Sequence, residues 1–532
     1  MDENTWMLGR MQAWPLTVDR IVTQAARWHG ARAVVSRDPD GTIRRLTYAD
    51  LEKKARQISA ALLRRGIGRG DRVATLAMNG FDHLALWYGV MGIGAICHTL
   101  NPRLHDDQIA YIINHAADRM VFADPAYLPI IQRMLPRCPS LGAVVVLGEV
   151  GDETESLTDF IDAADGSSIV WGGFPEETAA GLCYTSGTTG DPKGVLYSHR
   201  SNTLLAMNTI MPDAFALSSR EVIMPVVPMF HANTWGLAFS APMVGAKLVL
   251  PGAALDGRSL HELIESEGVT FSAGVPTVWQ GYIDHLRVEG VQRSSLRRVV
   301  IGGAACPASV MADMEALGIE VLHAWGMTEL SPVGLAATPT PETLALPPAE
   351  RWAFRLKQGH PVGIDAQIVG DAGEVLANDG ETVGRLMVKG PAVIARYAGQ
   401  DESALTFDGW FDTGDVAAID PYGFVRITDR AKDIIKSGGE WISSVDIENA
   451  LLTHPNVALA AVVAMKDDKW GERPKLFVQL RTPSDEPPES YRRYLEGRVA
   501  KWWLPDVIEV IDTIPIGSTG KIDKKALRAL DA

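Results

Sequence analysis

The stretch GLCYTSGTTGDPKGVLYSH, residues 181–199, decides the fold of this 532-residue chain. Its apolar start, at 182–184, predicts a buried strand that runs into a turn rich in glycine and hydroxyl side chains. Successive backbone N–H groups in such a turn form an anion-binding nest, and hydroxyls and a lysine add further donors. The turn and its donors comprise Thr185, Ser186, Gly187, Thr188, Thr189 and Lys193. We therefore expect a phosphate-binding loop at the end of a strand.

The spacing of this loop differs from that of the P-loop of phosphate-hydrolysing enzymes. That motif reads G-x-x-x-x-G-K-[ST], and its Ser or Thr binds magnesium directly after the lysine. Here Gly194 follows Lys193, so an ordinary ATPase or GTPase is disfavoured. A flexible Ser/Thr/Gly linker is the alternative, although a linker rarely follows a buried strand so directly or ends in Pro-Lys-Gly.

The composition indicates a globular protein and disfavours several other classes. Hydrophobic residues make up 46% of the chain and charged residues 22%, an ordinary balance for a globular protein. The net charge of -15 disfavours a general nucleic-acid binder, because affinity for a phosphate backbone needs a basic surface. Four cysteines without a C-x-x-C pair indicate neither a zinc nor a redox motif and suit a reducing compartment. With no apolar stretch near the roughly 20 residues that span a bilayer, we expect a cytoplasmic protein without an integral membrane segment.

Short β-rich runs alternate with helical patterns over the first three hundred or so residues. A helix is predicted at 51–66, and buried strands are predicted at 72–77, 119–124, 142–148, 247–252, 269–276 and 297–305. This alternation predicts an α/β fold with parallel sheets, in which ligands bind at the carboxyl ends of the strands.

The pattern changes after about residue 340. The proline-rich stretch 338–350 predicts a surface connection, and the short runs of 363–390, separated by Gly turns, predict a small β-subdomain. The last hundred or so residues predict a separate α+β domain. Its predicted helices are 445–454 and 489–503, and its predicted strands are 458–465 and 475–480.

The segment YTSGTTGDPKG resembles the phosphate loop of the adenylate-forming enzymes, which include acyl-CoA synthetases, luciferases and peptide-synthetase adenylation domains. The other motifs of that family follow in its order, and the resemblance covers nearly the whole chain. They are IGGAACP at 301–307, HAWGMTE at 323–329, GWFDTGD at 409–415, DRAKDIIKSGGEW at 429–441 and GSTGKIDKKALR at 517–528. The resemblance implies ATP, Mg²⁺ and CoA, with an acid first converted to acyl-AMP and then to a CoA thioester.

By this resemblance, the phosphate loop would hold the β- and γ-phosphates of ATP. Thr185 and Glu329 would supply oxygen ligands to Mg²⁺, and Thr328 would contact a phosphate. Asp415 would accept hydrogen bonds from both ribose hydroxyls, and Arg430 would contact ribose or phosphate.

The same resemblance gives the adenine a glycine-rich turn and an aromatic side chain. The adenine side comprises Gly302, Gly303, Ala324, Trp325 and Gly326. The family usually has Tyr where this chain has Trp325. Tryptophan keeps the aromatic face but replaces a hydroxyl with an indole N–H.

Three lysines match positions that serve the two halves of the reaction. Lys521 would reach the α-phosphate and the acyl carboxylate, where its charge would stabilise five-coordinate phosphorus. Lys432 matches the hinge between two domain arrangements, and Lys436 would approach the site in one of them. Where the family commonly has a cation and a hydroxyl before the last motif, this chain has Ile516 and Gly517.

The resemblance also implies the domain organisation. We expect a large N-terminal domain of layered α/β subdomains with the small β-subdomain, a hinge, and a small mobile α+β C-terminal domain. These cover residues 1–429, 430–432 and 433–532, respectively. Lys524 and Lys525, beside the last motif, are interpreted as solvated.

The acid pocket is expected around 226–239. Amino-acid-activating relatives usually carry Asp after the corresponding Phe, whereas this chain has His231, so an amino-acid substrate is disfavoured. The surrounding motifs resemble medium- and long-chain fatty acyl-CoA synthetases and ligases for 3-methylmercaptopropionate, in which Trp235 would line or gate the acyl tunnel. Trp441 would lie near the CoA or acyl route. Core packing is the alternative for Trp235.

Other functions stay open on the sequence alone. The acyl group could pass to another acceptor, such as a carrier protein, or the enzyme could be luciferase-like. A catalytically inactive homologue is disfavoured because Lys521, Glu329 and Asp415 are all present. The expected partners are a small carboxylic acid, ATP and CoA, without nucleic acid, and a homodimer is possible.

Overall fold

The computed structural model describes residues 9–148, 154–185, 191–438, 440–517 and 521–530. Two large sheets contain mostly parallel strands with antiparallel pairs at their edges. The nine-stranded sheet has the order His360–Pro361, Val333–Ala336, Glu320–Gly326, Arg298–Ile301, Phe271–Gly274, Val222–Pro225, Lys247–Leu250, Ala33–Arg37 and Ile43–Thr47. The seven-stranded sheet has the order Glu155–Ser156, Ala143–Val146, Met120–Ala123, Arg72–Leu76, Ile96–Thr99, Ala179–Tyr184 and Gly194–Ser198.

Two smaller sheets follow along the chain. An antiparallel four-stranded sheet, the predicted β-subdomain, comprises Asp365–Val369, Gly384–Lys389, Phe411–Ile419 and Val425–Arg430. A five-stranded sheet belongs to the C-terminal part and comprises Glu440–Ile442, Ile435–Ser437, Gly471–Leu480, Val457–Asp467 and Val507–Val510. The predicted fold class, a large α/β part followed by a small α+β part, is confirmed.

Helices cover the sheets. The α-helices are Val18–His29, Tyr48–Arg64, Phe81–Gly92, Asp106–Ala116, Leu128–Met134, Leu157–Ile161, His199–Ile210, Leu237–Val244, Gly257–Glu267, Pro276–Glu289, Ala308–Ala316, Pro341–Leu344, Pro348–Arg355, Ser444–Leu451, Pro488–Leu495 and Lys524–Ala529. Short 3₁₀ helices are Pro125–Tyr127, Leu135–Arg137, Gly166–Ser168, Thr328–Leu330 and Lys501–Trp503, and a left-handed turn covers Ala232–Gly236.

The helix Phe81–Gly92 shows how the two large sheets are joined. All its residues except Asp82 are buried, and it contacts strand Ala33–Arg37 of one sheet and Ile96–Thr99 of the other. An element that is apolar all round is stable only when it is covered on every side. The main hydrophobic core therefore extends from one sheet to the other through this helix.

Two sequence predictions need correction. The stretch 338–350 is not simply a connection, because it contains helix Pro341–Leu344 and the start of helix Pro348–Arg355, each with proline in its first turn. The predicted helix 489–503 ends early, at Leu495. There Glu496 becomes extended and Gly497 takes a φ of +76°, so the chain turns before the 3₁₀ helix Lys501–Trp503.

No helix in the described parts of the chain is long and apolar enough to cross a membrane. The four cysteines are all free and buried.

Candidate active site

The phosphate-binding stretch begins and ends on an antiparallel pair of strands, Ala179–Tyr184 and Gly194–Ser198. Past the strand end, the Thr185 N–H donates to the carbonyl oxygen of Lys193 at 2.9 Å, and the Lys193 N–H donates to Thr185 Oγ1 at 3.4 Å. The two ends of the loop are therefore fixed side by side. The predicted ligands Ser186, Gly187, Thr188 and Thr189 lie outside the described residues.

The predicted metal ligand Glu329 lies in a buried turn beside this loop. Glu329 and Thr328 are both buried, and the Thr328 carbonyl accepts a hydrogen bond from the Tyr197 hydroxyl at 2.8 Å. Burial raises the pKa of Glu329, and the hydroxyl of Tyr397, which donates to Glu329 Oε1 at 2.9 Å, opposes that rise. Tyr397 was missed by the sequence analysis, because it follows no recognisable ligand spacing.

Glu329 and Thr185 carry oxygen donors of a kind that fits a hard divalent cation. Carboxylate and hydroxyl oxygens from Glu329 and Thr185 are the type of ligand that Mg²⁺ prefers. Among the described residues no three His, Cys, Asp or Glu side chains form a complete metal-binding group. Mg²⁺ commonly binds through one or two protein oxygens together with substrate phosphates and water, so it needs no such group.

The predicted ribose site is a buried carboxylate held from both sides. Asp415 and Arg430 face each other on neighbouring strands, and Arg430 Nε lies 2.7 Å from Asp415 Oδ1. The indole Nε1 of Trp325 donates to Asp415 Oδ2 at 2.8 Å. Burial raises the pKa of Asp415, and the Arg430 charge and the Trp325 hydrogen bond oppose this rise. Each oxygen keeps a lone pair for a ribose hydroxyl.

The glycines of the predicted adenine side lie where a β-carbon would not fit or would be strained. A β-carbon on Gly302 would lie 2.7 Å from the Ala324 carbonyl oxygen, and one on Gly326 would lie 1.9 Å from the Pro332 carbonyl oxygen. Gly303 has a φ of +79°, a backbone conformation that favours glycine. These residues follow strand Arg298–Ile301 and end strand Glu320–Gly326, which are adjacent and parallel. The turn is thus at the carboxyl edge of the sheet, as predicted.

Lys521 reaches this site from the C-terminal part of the chain. Its Cε would lie 3.8 Å from a β-carbon on Gly303. Burial, and after it the charge of Arg430, lowers the pKa of Lys521 to about 8, while the carboxylates of Asp415 and Glu329 act in the opposite direction. Its carbonyl accepts a hydrogen bond from the Gly517 N–H at 2.7 Å. Ile516, which departs from the family pattern together with Gly517, forms an antiparallel bridge with Ile522.

The predicted acid-pocket residues lie next to Lys521. Trp235 is buried, and its ring packs on the glycine turn, 3.3 Å from where a β-carbon on Gly302 would lie. Burial lowers the pKa of His231 to about 4, and the charges of Lys521 and Arg103 add to this effect. His231 is therefore neutral at physiological pH. Arg103 is another residue that the sequence analysis missed. Its guanidinium lies 5.8 Å from the ring centre of Phe230.

Two other predicted residues, Lys436 and Trp441, are not brought into this cluster. Lys193 and Lys432 are exposed at its edge, where Lys193 contacts the ring of Tyr397 and the charge of Lys432 acts on Lys521. Lys436 is also exposed and pairs across two short strands with half-buried Trp441. Within the described parts of the chain, no contact joins the side chain of Lys436 or Trp441 to Lys521, Asp415 or Glu329.

Comparisons with known proteins agree with this geometry. The family model "AMP-binding enzyme" matches residues 21–398, and the model "AMP-binding enzyme C-terminal domain" matches residues 446–521. A medium-chain-fatty-acid–CoA ligase of Ectopseudomonas oleovorans is 47% identical, covering 98% of this chain and 97% of the relative. A 3-methylmercaptopropionyl-CoA ligase of Ruegeria lacuscaerulensis is 43% identical, covering 98% of both chains.

Similarity extends to a further relative and to solved structures. A long-chain-fatty-acid–CoA ligase of Thermus thermophilus is 43% identical, covering 98% of this chain and 97% of the relative. The crystal structure of an anthranilate CoA ligase in complex with anthranoyl-AMP superposes with a TM-score of 0.85 at 26% identity, covering 98% of this chain and 99% of that one.

Proposed function

The chain belongs to the family of AMP-binding enzymes and is an AMP-forming acid–thiol ligase, and we propose that it joins an apolar carboxylic acid to CoA through an acyl-AMP intermediate. One observation carries the proposal. The charge of Lys521 interacts with Asp415 and Arg430 on the nucleotide side and with His231 on the acid side, which supports a position where the two substrates would meet. A carboxylate that enters beside His231 would meet the α-phosphate of ATP at Lys521.

In the first half-reaction, a carboxylate oxygen of the acid attacks the α-phosphorus of ATP. The bond to the bridging oxygen breaks, pyrophosphate leaves, and acyl-AMP forms. No enzyme nucleophile is needed, because positioning and stabilisation of developing charge supply the catalysis. Lys521 would carry that role at the α-phosphate. Mg²⁺, held by Glu329 and Thr185 when bound, would neutralise phosphate charge.

In the second half-reaction, the CoA thiolate attacks the acyl carbon, the carbon–oxygen bond to AMP breaks, and AMP leaves with that oxygen. We propose that the small domain, 433–532, turns about the hinge 430–432 relative to 1–429 between the two steps. The arrangement described here, with Lys521 in the site and Lys436 and Trp441 outside it, suits the first step. Rotation would bring Lys436 and Trp441 toward the CoA route.

The acid is proposed to be apolar. His231 is neutral and stands where amino-acid-activating enzymes have a carboxylate, so this position offers no negative charge to pair with an ammonium. The buried Trp235 ring adds an apolar wall. Relatives act on medium- and long-chain fatty acids and on 3-methylmercaptopropionate, which are all apolar beyond the carboxylate. Selectivity among them changes by only about 1–3 kcal/mol per methylene.

A panel of carboxylic acids tests this proposal. Acids from acetate to stearate, with 3-methylmercaptopropionate and an amino acid as a control, are incubated with ATP, Mg²⁺ and CoA while AMP release is followed. We expect AMP and acyl-CoA with one or more apolar acids and none with the amino acid. Absence of AMP with every acid would refute the ligase proposal. Acid-dependent pyrophosphate exchange that CoA does not convert to acyl-CoA would favour a carrier-protein acceptor instead.

The cytoplasmic location and the homodimer stay predictions. Light scattering coupled to size-exclusion chromatography measures the oligomeric state directly.

A further inference from the structure

A tyrosine outside the recognised motifs contacts two of the predicted phosphate- and metal-binding residues at once. We propose that Tyr397 is a positioning residue for adenylation that links the end of the phosphate loop to the carboxylate of Glu329. The inference rests on the proposed function, because it takes Glu329 and Lys193 as ligands of the magnesium–ATP complex.

The hydroxyl of Tyr397 fixes one oxygen of Glu329. It donates to Oε1 at 2.9 Å, and Glu329 is buried, so this is a charge-assisted hydrogen bond in a site of low dielectric. A carboxylate held through one oxygen presents the other in a defined direction. Among the described residues no other side chain donates a hydrogen bond to this carboxylate, so Oε2 would be the oxygen that faces a cation.

The ring of Tyr397 contacts the second residue. The ammonium of Lys193 lies 4.9 Å from the ring centre, within the range of a cation–π interaction. Lys193 is otherwise exposed, and its long side chain has rotamer entropy to lose when it binds phosphate. Contact with the ring limits that freedom before the nucleotide arrives.

The backbone around Tyr397 is attached to the same two places. The Ile394 N–H donates to the Glu329 carbonyl at 2.7 Å, and the Ala398 N–H donates to the Gly194 carbonyl at 2.8 Å. The segment 394–398 therefore joins the phosphate-loop strand to the Glu329 turn, and Tyr397 is the side chain in it that contacts a functional group on each.

Two substitutions separate the two contacts. Tyr397→Phe keeps the ring beside Lys193 and removes the hydrogen bond to Glu329. Tyr397→Leu removes both. Tyr494→Phe is the matched control, because it removes a tyrosine hydroxyl bonded to Thr453 at 3.0 Å in the C-terminal domain.

The main readout is equilibrium binding of ATP to the full-length protein by calorimetry, with Mg²⁺ and with EDTA. We expect Tyr397→Phe to weaken binding of magnesium–ATP about tenfold and of metal-free ATP less than twofold, since a hydrogen bond to a charged group contributes about 1.5–3 kcal/mol. Tyr397→Leu should weaken both. Tyr494→Phe should change neither. In kinetics, Tyr397→Phe should slow acyl-AMP formation and spare thioester formation from supplied acyl-AMP.

A double-mutant cycle with Glu329→Gln tests whether Tyr397 acts through that carboxylate. When Glu329→Gln is already present, Tyr397→Phe should have less than a twofold further effect on magnesium–ATP binding. A tenfold effect of Tyr397→Phe in the Glu329→Gln background would overturn the proposal. Equal weakening of ATP binding by Tyr397→Phe alone, with and without metal, would also overturn it. If the wild-type protein made no acyl-AMP with any acid, the proposed function would fail, while the binding experiment would still decide the role of Tyr397.

Discussion

At the scale of single residues, the proposed adenylation depends on the charge of Lys521. The side chain lies with Arg430, Asp415 and Glu329, and its pKa of about 8 is well below that of an ordinary lysine. Phosphate binding would favour its charged form. In the proposed role, Lys521 would gain interaction energy as negative charge develops at the α-phosphate.

Lys521→Ala should separate the two half-reactions. Removing one preorganised donor to a developing oxyanion costs about 10²- to 10³-fold in rate, so we expect that loss in acid-dependent pyrophosphate exchange. Thioester formation from supplied acyl-AMP and CoA should change less than about threefold. Equal loss in both assays would refute the separate role given to Lys521.

The pH profile follows from the same group. Because the pKa of Lys521 lies at about 8, the side chain is charged below that pH and becomes neutral as the pH rises through it. kcat/KM for ATP in pyrophosphate exchange reports the free enzyme, so it should fall above about pH 8. Thioester formation from acyl-AMP should lack this decline. A flat exchange profile up to pH 9.5 would contradict the role of the charge.

Trp325 shows what the sequence could and could not provide at this scale. The motif around it predicted an aromatic side chain near the nucleotide. Its hydrogen-bonding partner was not predictable, because the indole reaches Asp415, ninety positions further along the chain. Such a contact depends on how the nine-stranded and four-stranded sheets pack together, which no local pattern contains.

At the scale of elements, strands and their glycine turns were predictable, and irregular elements were not. The strand predicted at 297–305 is present at Arg298–Ile301 with the glycines after it. The left-handed turn Ala232–Gly236 was not predicted. Its four non-glycine residues have φ values of 45° to 56°. Each costs roughly 1–2 kcal/mol, so only the surrounding tertiary structure can hold this turn.

The environment of Lys524, in helix Lys524–Ala529, differs from the interpretation based on the sequence. Lys524 was interpreted as solvated, but its Nζ lies 2.7 Å from Glu448 Oε1, and both side chains are nearly buried. The partner comes from helix Ser444–Leu451, which the sequence could not place beside it. Lys525, by contrast, is exposed as expected, and it forms no ion pair in the described parts of the chain.

Lys524→Met should therefore destabilise the C-terminal domain. The change leaves the buried carboxylate of Glu448 without its cation, which costs about 3 kcal/mol. We expect this decrease in the free energy of unfolding from urea denaturation followed by tryptophan fluorescence. Lys525→Met is the control and should change it by less than about 0.5 kcal/mol. Equal effects of the two substitutions would show that the buried pair contributes nothing.

At the scale of the whole molecule, the order of motifs was enough to identify the fold and the reaction. The contacts within the site depend on how separate elements pack, which the sequence did not show. Residues 301–307, 323–329 and 409–415 could be ordered along the chain and matched to a nucleotide site from the sequence alone. Tyr397 and Arg103 could not, because their importance lies in which side chains they meet across separate elements. The sequence identified the substrate only as a class of carboxylic acids, because the choice among them depends on the shape of the pocket beside Trp235.

In the proposed reaction, an oxygen of the acid becomes bonded to the α-phosphorus of ATP before CoA reacts. An apolar acid labelled with ¹⁸O in its carboxylate, turned over with ATP, Mg²⁺ and CoA in unlabelled water, tests this by mass spectrometry of the nucleotide product. Acyl-AMP formation predicts one ¹⁸O atom in each AMP. Unlabelled AMP, or ¹⁸O in inorganic phosphate with ADP as the product, would contradict it.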